Sequence, residues 1–119
     1  MNRETFNDFC AGLKATTNVV QWGGSSVWKV GGKIFAICSI WGEGRDEKIS
    51  FKCAEMSFQV LCELPGVIPA PYLARGKWVQ VASNETLSDD DIKSYIEEAH
   101  SIIAGKLTKA KRAELGLSD

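Results

Sequence analysis

Residues 27–41, VWKVGGKIFAICSIW, constrain the fold more than any other stretch of the 119-residue sequence. Two runs of β-branched, aromatic and aliphatic residues flank Gly31 and Gly32. Both central residues of a type I′ turn need positive φ, which glycine adopts without steric cost, so the pattern predicts a two-residue β-hairpin. Regular alternation in the second run puts Ile34, Ala36, Cys38 and Ile40 on one face and Phe35, Ile37, Ser39 and Trp41 on the other. Apolar residues on both faces predict a strand near the middle of a sheet, covered at least in part on each side.

Helices are expected around this hairpin. Phe6, Phe9, Cys10 and Leu13 recur at helical spacing behind Asn2, a good N-cap. Residues 54–64 read as a second helix with Phe58, Leu61 and Cys62 inward, poorly capped at its start and stopped by Pro65. The third is the best marked. Ser88 and Asp91 resemble a capping box, Leu87 and Ile92 a staple, and Ile92, Tyr95, Ile96, Ala99, Ile102 and Ile103 form the apolar stripe before Gly105. His100 falls beside that stripe with no identifiable partner.

Further extended segments lie between these helices. Residues 19–22 read as a short extended segment leading into the Gly23–Gly24 loop. Residues 48–53 alternate Ile49, Phe51 and Cys53 against Lys48, Ser50 and Lys52, as a half-solvated antiparallel strand does. Pro69 and Pro71 cannot donate to a ladder, so a strand at residues 67–73 belongs at a sheet edge. A turn at residues 74–76 then leads into a strand at 77–82, a second and looser hairpin. The order is α-β-β-β-α-β-β-α, an α+β domain over residues 1–107, with a basic tail at 108–119 that forms a short helical turn or a mobile end.

The chemistry-bearing residues are sparse. Cys10, Cys38, Cys53 and Cys62 form no C-x-x-C pair and His100 is the only histidine, so zinc spacing is missing and four reduced thiols are expected. Asp89, Asp90 and Asp91 point in different directions on a helix and suit its positive end better than a metal ion. The Gly23–Gly24 loop lacks phosphate-cradle spacing and precedes a strand. With no nucleophile–base pairing either, a non-enzyme without cofactor or metal is expected. No apolar run reaches the ~20 residues of a membrane span, and residues 1–10 hold no long apolar run of a secretion signal, so a cytoplasmic place without membrane contact is expected.

Net charge is −1, yet residues 24–82 carry seven cations against five acids while residues 83–107 carry two against six. The sheet region is therefore mildly basic. Tyr72, Arg75, Lys77 and Trp78 gather on the second hairpin, a cluster of the kind that binds anions, nucleobases or a peptide. The plainer reading has the aromatics covering the sheet and the cations solvated.

Taken in order, WKVGGKIFA, ISFKC, LPGVIPAPYLARGKW and LTKAKRAELG resemble the MmcQ/YjbR family over nearly the whole chain. Lys29, Val30, Gly31, Gly32 and Lys33 match its K-V-G-G-K hairpin, Lys52 its lysine-bearing strand, and Pro65 and Gly66 its P-G turn. Where many members have an Asn-Lys-x-His-Trp segment, this chain has Ala74-Arg75-Gly76-Lys77-Trp78, keeping the tryptophan and a basic neighbour but no histidine. The resemblance implies a two-layer domain with a curved antiparallel sheet, related to secretion chaperones and to double-wing DNA-binding folds. It implies DNA as partner, with Lys29, Lys33, Lys52, Arg75 and Lys77 on phosphates and Trp78 near a base. The alternative it leaves open is a protein- or small-ligand-binding module, a homodimer among the options, with an apolar groove near Trp41, Tyr72 and Trp78.

Overall fold

Six strands hydrogen-bond into one antiparallel sheet in the spatial order β1-β2-β3-β4-β6-β5. The computed structural model describes residues 1–42, 44, 46–82 and 87–117; Glu43, Arg45 and Glu85, counted in the charge balances, and the last two residues of the tail lie outside the described residues. Along the chain come α1 (Arg3–Ala11), β1 (Thr16–Gln21), β2 (Ser25–Val30), β3 (Lys33–Ser39) and β4 (Lys48–Lys52). They are followed by α2 (Glu55–Leu61), β5 (Val67–Pro69), β6 (Trp78–Ala82), α3 (Asp89–Ala104) and α4 (Lys109–Glu114). The α+β class and most of the expected order hold. The difference is β1: the short extended segment is a full strand pairing with β2, so four strands precede α2.

The hairpin at the centre forms as its glycines dictate. Gly31 and Gly32 take φ of 60° and 84° between the paired residues Val30 and Lys33. β5 is an edge strand bonded only to β6, the place its prolines permit. Asn2 accepts from the Thr5 amide at 2.8 Å, and Ser88 from the Asp91 amide at 3.1 Å, capping α1 and α3 as expected. The tail takes the helical option: Thr108 caps α4 through the Lys111 amide at 3.1 Å, and Leu115 and Leu117 pack against the core.

One side of the sheet carries the main core. Trp28, Val30, Phe51, Val79 and Val81 meet Phe6 and Cys10 of α1, Leu61 of α2, and Ile92, Ile96, Ala99 and Ile103 of α3. Phe51 is fully buried and stacks on Tyr95 at 5.9 Å. Asn7 of α1 ties the layers together, its Oδ1 accepting from Ser26 Oγ at 2.6 Å and from Trp28 Nε1 at 2.9 Å. α2 receives a tertiary cap where its own sequence offers none: Glu98 of α3 accepts from the Ala54 amide at 3.4 Å and from Ser57 Oγ at 3.2 Å.

Regular alternation fails in β3. Trp28 pairs with Ala36 and Lys29 with Ile34, leaving Phe35 as an extra residue in a β-bulge. A bulge sets two residues of one strand against one of the other and shifts the phase of the pleat. Phe35 therefore joins Ala36 and Cys38 in the main core, while Ile34 joins Ile37 on the opposite side. That opposite side is not the half-solvated face expected of β4. Val27, Ile37, Ala70 and Trp78 form a second buried cluster, flanked by Val19, Ile34, Trp41 and Leu73. The segment from Ala70 to Trp78 and the residues after β3 fold over it, so Lys48, Ser50 and Gln80 are buried as well. Gln80 donates to the Trp41 carbonyl at 2.9 Å and Lys48 to the Asp46 carbonyl at 2.9 Å. Ser50 Oγ is buried and has no hydrogen-bond partner among the described residues.

Candidate functional site

The second face opens into an aromatic cleft. Trp22, Ile34, Ile37, Trp41, Tyr72, Leu73 and Trp78 enclose a cavity of about 290 Å³. Trp78 is 7% exposed and, with Ile37, belongs to the buried cluster beneath, whereas Trp22 and Tyr72 are 52% and 89% exposed. Trp41 stands between the outer two, 5.5 Å from the Trp22 ring and 5.7 Å from the Tyr72 ring, the latter edge to face. Trp22 and Tyr72 hold φ of 53° and 70°. A left-handed backbone costs a non-glycine residue about 1–2 kcal/mol, so the fold strains two positions that present these rings to solvent. The apolar groove expected near Trp41, Tyr72 and Trp78 is present; Trp22 is the wall that sequence reasoning missed.

A second feature lies at the end of the sheet that holds the Gly31–Gly32 turn. Antiparallel pairing brings there the end of β2, the start of β3, the end of β4 and the start of β6, and with them Lys29, Lys33, Lys52 and Lys77. Arg75 is exposed in the 3-10 turn that precedes Lys77. Lys29 pairs with Ile34 and Lys52 with Trp78, on the cleft side. Lys33 pairs with Val30 of the main core, and the Lys77 ammonium stands 5.1 Å over the Phe58 ring of α2, both on the helix side. The cations thus surround one end of the sheet instead of forming a strip along a face. Lys52 donates to the Gly76 carbonyl. Partial burial first, and then the neighbouring Lys106 and Lys77, hold its ammonium below the ordinary lysine value. Lys106, at the end of α3, is the cation sequence reasoning missed.

The remaining reactive groups are occupied structurally. His100 Nε2 lies 2.8 Å from the Lys14 carbonyl and its ring meets Phe35 edge to face at 5.3 Å, so it has the partner that its sequence neighbourhood did not reveal. No group of three or more metal-ligating side chains occurs among the described residues. All four cysteines are free, and Cys10, Cys38 and Cys53 are buried. Burial, then Glu47, pushes the Cys38 thiol up to about 12. Burial, then Glu98, does the same for Cys53. Burial, then Cys38, raises Cys10 further. These thiols pack as small hydrophobes and stay protonated at neutral pH.

Their raised values make stability fall at alkaline pH. Below about 8.5, the ordinary thiol value, folded and unfolded chains hold the same thiol protons; above it the unfolded chain releases protons that the folded chain keeps. The stabilisation is complete below pH ~8.5 and is lost as pH rises toward 12, by up to about 1.4 kcal/mol per pH unit for each thiol. Urea midpoints measured from pH 7 to 10.5 are expected to decline above pH 8.5, and less steeply in Cys53→Ala than in the parent. Equal slopes in the two proteins would contradict the assignment.

A family model described as YjbR matches residues 11–102, which span every strand and nearly all of α3. The chain belongs to the YjbR family. Two solved structures share its fold. The Deinococcus radiodurans protein DR2400, described as a DUF419 domain, is 22% identical with a TM-score of 0.83, over 98% of this chain and 88% of that one. A Pseudomonas syringae protein solved by the Northeast Structural Genomics Consortium is 23% identical with a TM-score of 0.71, over 87% and 99%. No curated protein matches the sequence. No helix among the described residues is long and apolar enough to cross a membrane.

Proposed function

We propose that this YjbR-family chain is a binding protein without catalytic chemistry and that its partner is DNA. Lys29, Lys33, Lys52, Arg75 and Lys77 hold the phosphates, and Lys106 adds to their field. The observation that carries the reading is the convergence of cations from three strands and a turn on one end of the sheet. Phosphate contacts supply most of the sequence-independent affinity of DNA-binding proteins, and clustered cations are their usual footprint. Trp78 lies in the floor of the cleft, so its part is to support the Lys52 strand from which it is paired, with base contact left to the outer rings. The compartment is the cytoplasm, where four reduced thiols persist.

A salt titration of binding to a short fluorescent duplex tests the reading. Five phosphate contacts give a slope of log affinity against log salt near −4.5, at about −0.9 per phosphate. Lys33→Glu with Lys52→Glu is expected to flatten the slope by about two contacts. No binding at 50 mM salt, or a slope near zero, would overturn it. The second reading, a protein- or small-ligand-binding module, is favoured by the aromatic cleft.

A further inference from the structure

We propose that the cleft walled by Trp22, Trp41, Tyr72 and Trp78 is a small-molecule site for a planar aromatic ring that carries an anionic group, a phosphate or a carboxylate. This gives the second reading its ligand class and rests on that reading; it shares Lys29, Lys52 and Arg75 with the DNA reading, whereas Lys33 and Lys77 serve the DNA reading alone. The cavity, at about 290 Å³, is at the lower end of small-molecule sites, which run from about 300 to 1,000 Å³, and suits one or two fused rings. Its walls are faces and edges of aromatic rings in tilted and edge-to-face arrangement, with aliphatic Ile34, Ile37 and Leu73 completing them. Such walls favour a flat π-system over a branched aliphatic chain, because offset stacking and edge contacts add to apolar burial.

The rim decides the charge. Aromatic cages also capture quaternary ammonium groups, by attraction to the ring quadrupoles. Here, however, Lys29 is the cross-strand partner of the lining residue Ile34, and Lys52 of the lining residue Trp78. Arg75 follows Leu73 by two residues and is exposed. No charged side chain of either sign lines the cavity itself among the described residues, so the cleft-side lysines beside it set the sign of the field. A cationic ligand meets repulsion from these two cleft-side lysines, whereas an anion is drawn to them. Trp22 and Tyr72 hold positive φ and pack on Trp41, yet leave most of their ring surface open to a ligand.

The test is isothermal titration calorimetry of the full chain with four probes: AMP, adenosine, 1-naphthoate and 1-naphthylmethylammonium. Expected is one-site binding of AMP, of naphthoate or of both, which distinguishes phosphate from carboxylate, at least tenfold tighter than the uncharged or cationic counterpart. Tyr72→Ala, at an exposed position, is expected to keep the circular dichroism spectrum of the parent and weaken binding at least tenfold. Binding of none of the probes, preference for the naphthylmethylammonium, or an undiminished Tyr72→Ala would overturn the proposal. Light scattering at matched concentrations separates its failure from that of the broader reading: a dimer dissolved by Tyr72→Ala would make the cleft a protein interface and the small-molecule assignment wrong. Lys33→Glu, on the helix side, is expected to leave probe binding unchanged while lowering DNA affinity.

Discussion

Replacing Phe51 by alanine is expected to remove about 3–5 kcal/mol of folding stability, the usual range for deleting a fully buried aromatic ring. Phe51 sits on β4, between β3 and β6, and its ring stacks on Tyr95 of α3, so it joins the sheet to the longest helix. The cavity left behind is bounded by strand neighbours Ala36 and Val79, which backbone hydrogen bonds hold in register and which cannot close over it. A domain of this size has a total stability of about 5–15 kcal/mol, so the variant loses a large share of it. Urea denaturation measures the change. Val20→Ala, at an exposed position on the edge strand β1, serves as the control and is expected to shift stability by no more than about 0.5 kcal/mol. A Phe51→Ala cost below about 1.5 kcal/mol would mean that the sheet and α3 do not pack as described.

The second large effect comes from the central turn. Gly31→Ala is expected to cost about 2–5 kcal/mol and Gly32→Ala only about 1–2 kcal/mol. Both glycines hold positive φ, and a left-handed backbone costs an L-residue about 1–2 kcal/mol at either position. They differ in what a methyl group would meet. At Gly31 the new Cβ would lie 2.6 Å from Leu107 Cδ1, while at Gly32 nothing stands within 4 Å. Leu107 is itself buried between the ends of α3 and α4, so its displacement adds an overpacking cost of about 1–3 kcal/mol. Combining Gly31→Ala with Leu107→Ala should recover part of the loss, which a purely conformational penalty would not. Equal costs at the two glycines would show that the turn does not pack on the helix junction.

These glycines also mark how far the fold was legible in the sequence. The turn needs only local chemistry: two consecutive positive φ values strongly favour glycine. Edge placement of β5 and the caps of α1 and α3 were legible for the same reason, since missing donors and side-chain oxygens act within a few residues. The bulge at Phe35 was not, because Phe35, Ala36, Ile37 and Cys38 are all apolar and the burial pattern fits either phase. Nor was the cap of α2, whose carboxylate comes from Glu98, 41 residues beyond Ser57.

The candidate site divides along the same line. Lys29 and Lys33 flank a turn, so their common end of the sheet followed from the hairpin. Lys52 and Lys77 joined them through long-range strand pairing, and Lys106 through the packing of α3. Trp78 alternates with Val79 and Val81, and its burial fits the plainer reading in which it covers the sheet. What buries it is the fold-over of Ala70 and Leu73, together with Trp41, from other parts of the chain. Trp22 is separated from Tyr72 by 50 positions, and only the closed second face brings both to one cavity.

The central claim is that the cationic end of the sheet is where DNA is held. Amide chemical-shift mapping of the labelled chain with a short DNA duplex at low salt tests it most directly. The expected result is perturbation concentrated at residues 29–33, at Lys52 and at residues 75–78, fading as salt is raised. Absence of any shift at low salt, or shifts centred on the acidic exposed side of α3, would contradict it.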